Sequence, residues 1–421
     1  MRSEPATDPT VPSRRGFLGA ALGAVGAVAA GGAGGYGLAR GTEAEAAAPA
    51  PTTVPFYGPR QAGIATPAQD RLAFAAFDVT STSKQAVIAM LASWAAAGAR
   101  MTQGLPIGPT ETAPQSPPVD TGEALGLNSG DLTITVGFGP SLFDERFGLA
   151  SKRPAALADL PVMPRDALVP AQTGGDICVQ ACSNDPQVAF HVIRNFARIA
   201  RGTAVMRWSQ LGFGRTSSTS TSQATPRNLM GFKDGTNNIK AEDGAEMNAF
   251  VWVGGETDQP WMKGGSYLVA RRIKMLIEAW DIDYIADQEN VFGRVKDSGA
   301  PLTGEAEFDR VDLEATAHGE PVIPATAHIR LAAPASNGGQ KLLRRGYSYT
   351  DGTDQTTGQL DAGLFFLAFQ KDPRTQFVPI QRRLAASDAL NEYIKHVGSG
   401  LFAVPPGLVA VGDYWGKTLL N

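Results

Sequence analysis

The chain has 421 residues, of which 43% are hydrophobic and 19% are charged, and its formal net charge is −4. This composition is typical of a globular protein, and the length is enough for two domains of ordinary size. A net negative charge without a basic run after the first fifteen residues argues against a nucleic-acid-binding protein.

Residues 1–48 are predicted to be an export signal. They contain a Ser-Arg-Arg-x-Phe-Leu run at 13–18, followed by an uncharged segment that is rich in glycine and only mildly hydrophobic. A membrane anchor would normally contain more Leu, Ile and Phe, whereas this pattern resembles a twin-arginine signal peptide. We therefore expect export to the periplasm or the extracellular space. The twin-arginine route carries folded proteins, which suits a protein that receives a cofactor before export. Residues 49–66, rich in Pro and Thr, are predicted to form a tether.

Residues 67–225 show apolar patterns that alternate between strand and helix periodicity. Predicted strands lie at 71–79, 131–139, 176–183 and 204–213, and predicted helices lie at 84–101 and 186–202. The order βαββαβ is the signature of a ferredoxin-like domain. A run from 216 to 225, mostly Ser and Thr, is predicted to be a polar connector to the next domain.

The two cysteines, Cys178 and Cys182, fall within the predicted strand at 176–183. Residues four apart on a strand are about 13 Å apart, too far for a disulfide. We therefore predict two small buried core residues.

Residues 226–421 have a less regular pattern. Predicted strands lie at 249–254, 265–275 and 363–370, and predicted helices lie at 275–294 and 375–397. We expect a second α+β domain related to the first, each with an antiparallel sheet packed with helices.

The run "NLMGFKDGTNN" at 228–238 places Asp234 between two glycines in an otherwise apolar stretch. Glycines allow the backbone to approach a ligand closely, and a carboxylate in apolar surroundings can move a proton during catalysis. Taken alone, the run is more typical of a glycine-flanked surface turn with a solvated Asp. Downstream, His328 lies in "IPATAHIRLAAP", and Arg344 and Arg345 lie in "KLLRRGYSY". A histidine in an apolar stretch is usually a core or turn residue. Paired arginines in a strand more often lie at a solvated edge.

Together, "GFKDG", "AHIR" and "LRRGYSY" resemble the dye-decolourising haem peroxidases, most closely the exported branch that includes bacterial deferrochelatase/peroxidases. The resemblance extends from the strand near Arg71 to the C-terminus. It implies two ferredoxin-like domains with haem in the C-terminal one. It also implies a peroxidase that reduces hydrogen peroxide and forms a ferryl intermediate. That intermediate would take single electrons from donors such as dyes and phenols, which could be small molecules or proteins.

Position by position, the resemblance implies that His328 is the axial ligand of the haem iron. Asp234 and Arg344 would act on the peroxide-binding side, where an acid moves a proton and a guanidinium stabilises the departing anion. Because the sequence has no Cys-x-x-Cys-His motif, the haem is expected to be haem b, held without a covalent link.

The resemblance implies further roles for four residues. Asn238 would lie on the peroxide side, Arg330 would pair with a haem propionate, and Asp388 would offer its carboxylate to the axial imidazole. Arg345 is expected to contact the haem as well; it would point away from Arg344 if the segment is a strand, and a one-residue error in register would exchange the roles of the two arginines.

Two other functions compete with the peroxidase. The first is haem de-ironing, the deferrochelatase role of the most similar branch, which would need no peroxide. The second is a non-catalytic exported haem carrier. A carrier requires His328 but not Asp234 and Arg344, so the presence of both favours catalysis.

Overall fold

The computed structural model describes residues 53–109 and 111–421. The predicted signal peptide at 1–48 and the first residues of the predicted tether lie outside these ranges. Residues 56–64 of that tether belong to the fold. Phe56 packs edge-on against Trp415 with ring centroids 5.7 Å apart, and the buried amide of Gln61 donates to the carbonyls of Val136 and Pro405. No helix within the described ranges is long and apolar enough to cross a membrane.

The first half of the described chain forms one ferredoxin-like unit. Its elements are β1 (Arg71–Val79), α1 (Lys84–Met101), β2 (Thr133–Phe138), β3 (Ile177–Ser183), α2 (Pro186–Ile199) and β4 (Ala204–Arg215). The strands are antiparallel in the order β2-β3-β1-β4. Side-chain caps start both helices, since Ser83 accepts from the Ala86 amide and Asp185 accepts from two amides of the first turn of α2. The predicted βαββαβ order is confirmed.

The second half repeats this order with longer insertions. Its elements are α3 (Gly244–Phe250), β5 (Ser266–Met275), α4 (Ile277–Trp280), α5 (Ile285–Phe292), β6 (Thr316–Ala317), β7 (Glu320–Pro321), α6 (His328–Ala332), β8 (Leu343–Arg344), β9 (Tyr347–Thr353), β10 (Leu360–Gln370), α7 (Phe377–Ser387), β11 (Ile394–Val404) and α8 (Lys417–Leu420). The main strands lie in the order β11-β5-β10-β9, which is the order of the first unit. The fold is therefore two ferredoxin-like domains, as predicted.

The two sheets join at both edges. β4 pairs with β9, and β11 pairs with β2 through Ala403 and Phe138, so eight strands form a closed ring. Buried aromatic side chains fill the inside of the ring, among them Phe74, Phe365 and Phe402. The prediction for the cysteines is confirmed, because Cys178 and Cys182 are unpaired and buried in this interior.

Three predicted elements of the second half are wrong. Residues 249–250 end α3 and 251–254 follow it without a strand, because the Asp243 side chain accepts from the Glu246 amide and starts a helix earlier in the chain. The predicted helix at 275–294 is split into α4 and α5. The predicted helix at 375–397 ends at Ser387, and the chain re-enters the sheet as β11 from Ile394.

The Ser/Thr run is not a solvated connector at its start. All five residues of 216–220 are buried. The Thr216 amide donates to the Gly346 carbonyl over 2.9 Å, and the Ser218 carbonyl accepts from the Asn238 side chain over 3.0 Å. This buried segment therefore contacts both the loop that carries Asp234 and the turn after Arg344.

Candidate active site

A cavity of about 570 Å³ lies in the second domain. Its wall includes residues of β5, α5, α6 and α7, together with the segment 307–313. Four of the predicted site residues line it: His328, Asp388, Asp234 and Arg344. The fold thus brings together residues up to 154 positions apart in sequence.

His328 is the first residue of α6, and its imidazole is held by Asp388 at the end of α7. Nδ1 of His328 lies 2.6 Å from Oδ2 of Asp388, and the His328 side chain is about 30% exposed. The other carboxylate oxygen of Asp388 accepts from the Leu390 amide at 2.8 Å. Because the Ala389 amide also donates to the Thr326 carbonyl, the two segments are fixed to each other. Nδ1 is thereby engaged and Nε2 is left for another partner.

Two opposing effects act on the pKa of His328. Burial lowers it, whereas the charge of Asp388 and the hydrogen bond to Asp388 raise it, and the net result is a raised pKa. Arg344 lowers and Asp234 raises the same pKa. The charges of Asp234 and Arg344 therefore act electrostatically on the imidazole that Asp388 holds.

Asp234 and Arg344 form an ion pair in this cavity. Nη1 of Arg344 donates to Oδ1 of Asp234 at 2.6 Å, and the two side chains are 29% and 13% exposed respectively. The loop that carries Asp234 needs glycine at the next position. Gly235 has φ +91°, and a Cβ there would lie 2.9 Å from Cα of Ser217. The surroundings of Asp234 are thus those of an ion pair in a tight loop, not the apolar setting that the sequence suggested.

Three other predicted residues do not line the cavity. Arg345 is fully buried on the other side of its segment, where it donates to the Thr66 carbonyl and to Oε1 of Gln69. The guanidinium of Arg330 donates two hydrogen bonds to the Ile323 carbonyl, from Nη2 at 2.8 Å and from Nε at 3.0 Å.

Asn238 is also outside the wall of the cavity, and its carboxamide bonds to the backbone of Arg344. The expectations that Arg345 and Arg330 face the haem, and that Asn238 faces the peroxide, are therefore not met by this geometry.

The sequence reasoning missed other charged residues of the wall. Glu307 pairs with Lys233 and accepts from the Thr236 hydroxyl at 3.1 Å, so it fastens segment 307–313 to the loop that carries Asp234. Arg294 lines the cavity and donates to the carbonyls of Gly299 and Glu307, at 2.6 and 3.1 Å. Arg294 lies two residues before the phrase at 296–304 that resembles the peroxidases, but no spacing rule distinguished it.

Comparisons with known proteins agree with this geometry. The family models for the N-terminal and C-terminal parts of the Dyp-type peroxidases match residues 61–214 and 225–409. The deferrochelatase of Escherichia coli strain K12 is 39% identical over 372 residues, which is 87% of each chain. The deferrochelatase of Yersinia pseudotuberculosis is also 39% identical, over 87% of this chain and 85% of its own.

Solved structures show the same similarity. DtpA from Streptomyces lividans, solved as an oxyferrous/water mixed complex, is 40% identical, covers 88% of this chain and 98% of its own, and gives a TM-score of 0.80. A Dyp-type peroxidase from Streptomyces coelicolor is 40% identical, covers 88% and 97%, and gives a TM-score of 0.81. Since the family models match most of the chain and these relatives share about 40% identity with it, the protein belongs to the Dyp-type peroxidase family and is a haem peroxidase.

Proposed function

We propose that the protein binds one haem b in the cavity of about 570 Å³ and uses it to reduce hydrogen peroxide at the expense of one-electron donors such as dyes or phenols. The observation that carries the proposal is the convergence of two residue pairs, His328–Asp388 and Asp234–Arg344, on the wall of one cavity. The first pair supplies an axial ligand, and the second supplies acid–base and anion-stabilising groups.

The residues present fit a haem. His328 faces the cavity with Nδ1 already bonded to Asp388, so Nε2 is the free ligand atom, and much of the wall is apolar, including Phe292, Ile329 and Leu384. Both cysteines lie inside the strand ring and not in the wall, which supports attachment without thioether bonds.

Arg294 is a better candidate than Arg330 for pairing with a propionate. Both arginines donate to backbone carbonyls and neither forms an ion pair with a carboxylate among the described residues, but Arg294 lines the cavity and Arg330 does not. Arginine binds carboxylates through two parallel hydrogen bonds. We therefore replace the propionate role first expected for Arg330 with one for Arg294.

When bound, the haem supplies the iron that accepts the peroxide and the redox equivalents that oxidise the donor. Asp234 would take a proton from one oxygen of the peroxide and return it to the oxygen that leaves as water. Arg344 holds a positive charge beside the oxygen that departs, and its 2.6 Å bond to Asp234 keeps the two groups in register. Asp388 fixes the orientation of His328 and increases its electron donation.

Haem de-ironing is the second candidate function. It is favoured by the 39% identity to deferrochelatases over 87% of the chain. A test for iron released from haem without peroxide, with the porphyrin recovered intact, separates it from peroxidation. A haem carrier is disfavoured because it has no use for the paired Asp234 and Arg344.

We also propose export by the twin-arginine route to the periplasm or the extracellular space. Its support is the Ser-Arg-Arg-x-Phe-Leu run at 13–18 and the uncharged segment that follows it.

The main proposal is tested by rapid mixing of the haem-loaded ferric protein with hydrogen peroxide. We compare wild type with Asp234→Ala and Arg344→Leu across a pH series, after confirming that both variants retain haem. Loss of one charge-stabilising donor costs about 10² to 10³-fold in rate, and we expect Arg344→Leu to be the slower variant because a water can carry the proton of Asp234.

Arg382→Leu is the matched control, since Arg382 is an exposed arginine of α7 that lies outside the wall of the cavity. It should react at close to the wild-type rate. If neither Asp234→Ala nor Arg344→Leu slows the reaction, the catalytic proposal is wrong and the carrier becomes the better description.

A further inference from the structure

We propose that Asn238 is a positioning residue that fixes the backbone of Arg344, and so sets how strongly its guanidinium acts on an anion bound at the peroxide position. The inference rests on the proposed function for the role of Arg344, but not for the contacts of Asn238 itself. It replaces the direct peroxide-side role that the sequence suggested.

The carboxamide of Asn238 bonds to Arg344 in both directions. Oδ1 of Asn238 accepts from the Arg344 amide at 2.8 Å, and Nδ2 donates to the Arg344 carbonyl at 2.8 Å. Nδ2 also donates to the Ser218 carbonyl at 3.0 Å. The residue is buried, with 7% exposure, so these bonds are shielded from competing water.

The strand geometry explains why Arg344 needs such a partner. β8 has only two residues and pairs with β10 on one side, where the next residue, Arg345, donates its amide to the Leu367 carbonyl at 2.8 Å. Backbone groups of successive strand residues point to opposite edges, so the amide and carbonyl of Arg344 point away from β10. The side chain of Asn238 satisfies that open edge in the way a neighbouring strand would.

Asn238 also connects the two members of the catalytic pair. Its own amide donates to the Gly235 carbonyl at 3.0 Å, which closes the turn directly after Asp234. One residue therefore holds the Asp234 turn through its backbone and the Arg344 strand through its side chain. The ion pair of 2.6 Å depends on the relative position of these two segments.

Asn238→Ala removes all three side-chain bonds without touching either charged group. Because small misplacements of catalytic groups reduce rates by up to about 10²-fold, we expect the reaction with hydrogen peroxide to slow about 10- to 100-fold. Fluoride is the binding probe, since an anion on ferric haem accepts a hydrogen bond from a nearby guanidinium. Its dissociation constant should rise while haem content and the Soret band stay unchanged.

A double-mutant cycle separates positioning from general damage. If Asn238 acts through Arg344, Asn238→Ala should weaken fluoride binding in the wild-type background and have no further effect in the Arg344→Leu background. An equal loss in both backgrounds would overturn the proposal. Asn195→Ala is the matched control, because Asn195 is also a buried asparagine and lies on α2 outside the wall of the cavity; it should leave fluoride affinity unchanged.

Hydrogen exchange of the Arg344 amide in the haem-free protein gives a readout that does not depend on the proposed function. Asn238→Ala should speed exchange at this amide, whereas Asn195→Ala should not. Unchanged exchange in Asn238→Ala would overturn the anchoring role even if peroxide reactivity fell. Faster exchange with fluoride binding that is insensitive to Arg344→Leu would instead refute the role proposed for Arg344.

Discussion

Replacing Asp388 by asparagine is expected to raise the reduction potential of the haem iron. Oδ2 of Asp388 accepts from Nδ1 of His328 at 2.6 Å, and Oδ1 accepts from the Leu390 amide at 2.8 Å. These donors meet different oxygens of Asp388, and asparagine places an acceptor oxygen at only one of the two positions and an NH₂ donor at the other. If it keeps the backbone cap at Leu390, the imidazole loses its anionic partner. The ferric state carries one more positive charge than the ferrous state, so this loss destabilises the ferric state more.

The size of the shift follows from the type of bond. A hydrogen bond to a charged group contributes about 1.5–3 kcal/mol. In a one-electron couple 1.4 kcal/mol corresponds to about 59 mV, so the expected rise is about 65–130 mV. This is an upper range, because the His328 side chain is about 30% exposed in the cavity that the haem would fill.

Spectroelectrochemical titration of the haem-loaded variant measures this shift directly. Asn337→Ala is the control, because Asn337 donates to the carbonyls of Leu331 in α6 and of Ala333 directly after it but makes no hydrogen bond to the imidazole. It should leave the potential close to that of wild type. An unchanged potential in Asp388→Asn with haem retained would show that the carboxylate does not act on the iron through His328.

Three further outcomes are expected. His328→Ala should abolish or grossly alter the Soret band, and a normal band would exclude His328 as the axial ligand. Changing both Arg14 and Arg15 to Lys should leave the precursor inside the cell, so unimpaired export of that variant would contradict the signal prediction. Burial, with a smaller effect from Arg271, lowers the pKa of His396 to about 3, below the usual value of 6.5. At pH values between these two pKa values, the unfolded chain binds more protons at His396 than the folded protein does. The free energy of unfolding of the haem-free protein should therefore decrease as pH falls below about 6.5, by at most about 1.4 kcal/mol per pH unit. Denaturant titrations at a series of pH values should show that the free energy of unfolding depends less on pH in His396→Gln than in wild type. An identical pH dependence in the two proteins would refute this reasoning.

The sequence predicts the first domain better than the second for a physical reason. In the first domain, strand and helix periodicities alternate cleanly, and β1 and α1 begin and end where the pattern does. In the second domain, the residues after α7 keep an apolar pattern that also fits a helix. α7 ends at Ser387, and the next residue, Asp388, accepts a hydrogen bond from His328. The chain then joins the sheet as β11. That turn depends on a partner 60 residues away, which no local pattern contains.

The same limit applies to the site. The motifs predicted Asp234, His328 and Arg344, which the fold brings to one cavity, because short segments with glycines and paired charges carry the resemblance. They did not predict Arg294 or Glu307, which reach the wall from a long insertion between β5 and β8. Nor did they show that Asn238 bonds backbone rather than facing the cavity, because that depends on a two-residue strand.

The burial of Arg345 has a consequence for the cooperativity of the whole molecule. Its guanidinium donates to the carbonyls of Thr66 and Pro67 and to the side chains of Gln69 and Thr219. All four acceptors precede residue 226, so a fragment consisting of 226–421 alone would retain a buried cation without them. Such a group costs several kcal/mol when its partners are lost. The two halves should therefore melt as one calorimetric unit, and a gene split between them should require co-expression of both fragments to give soluble protein.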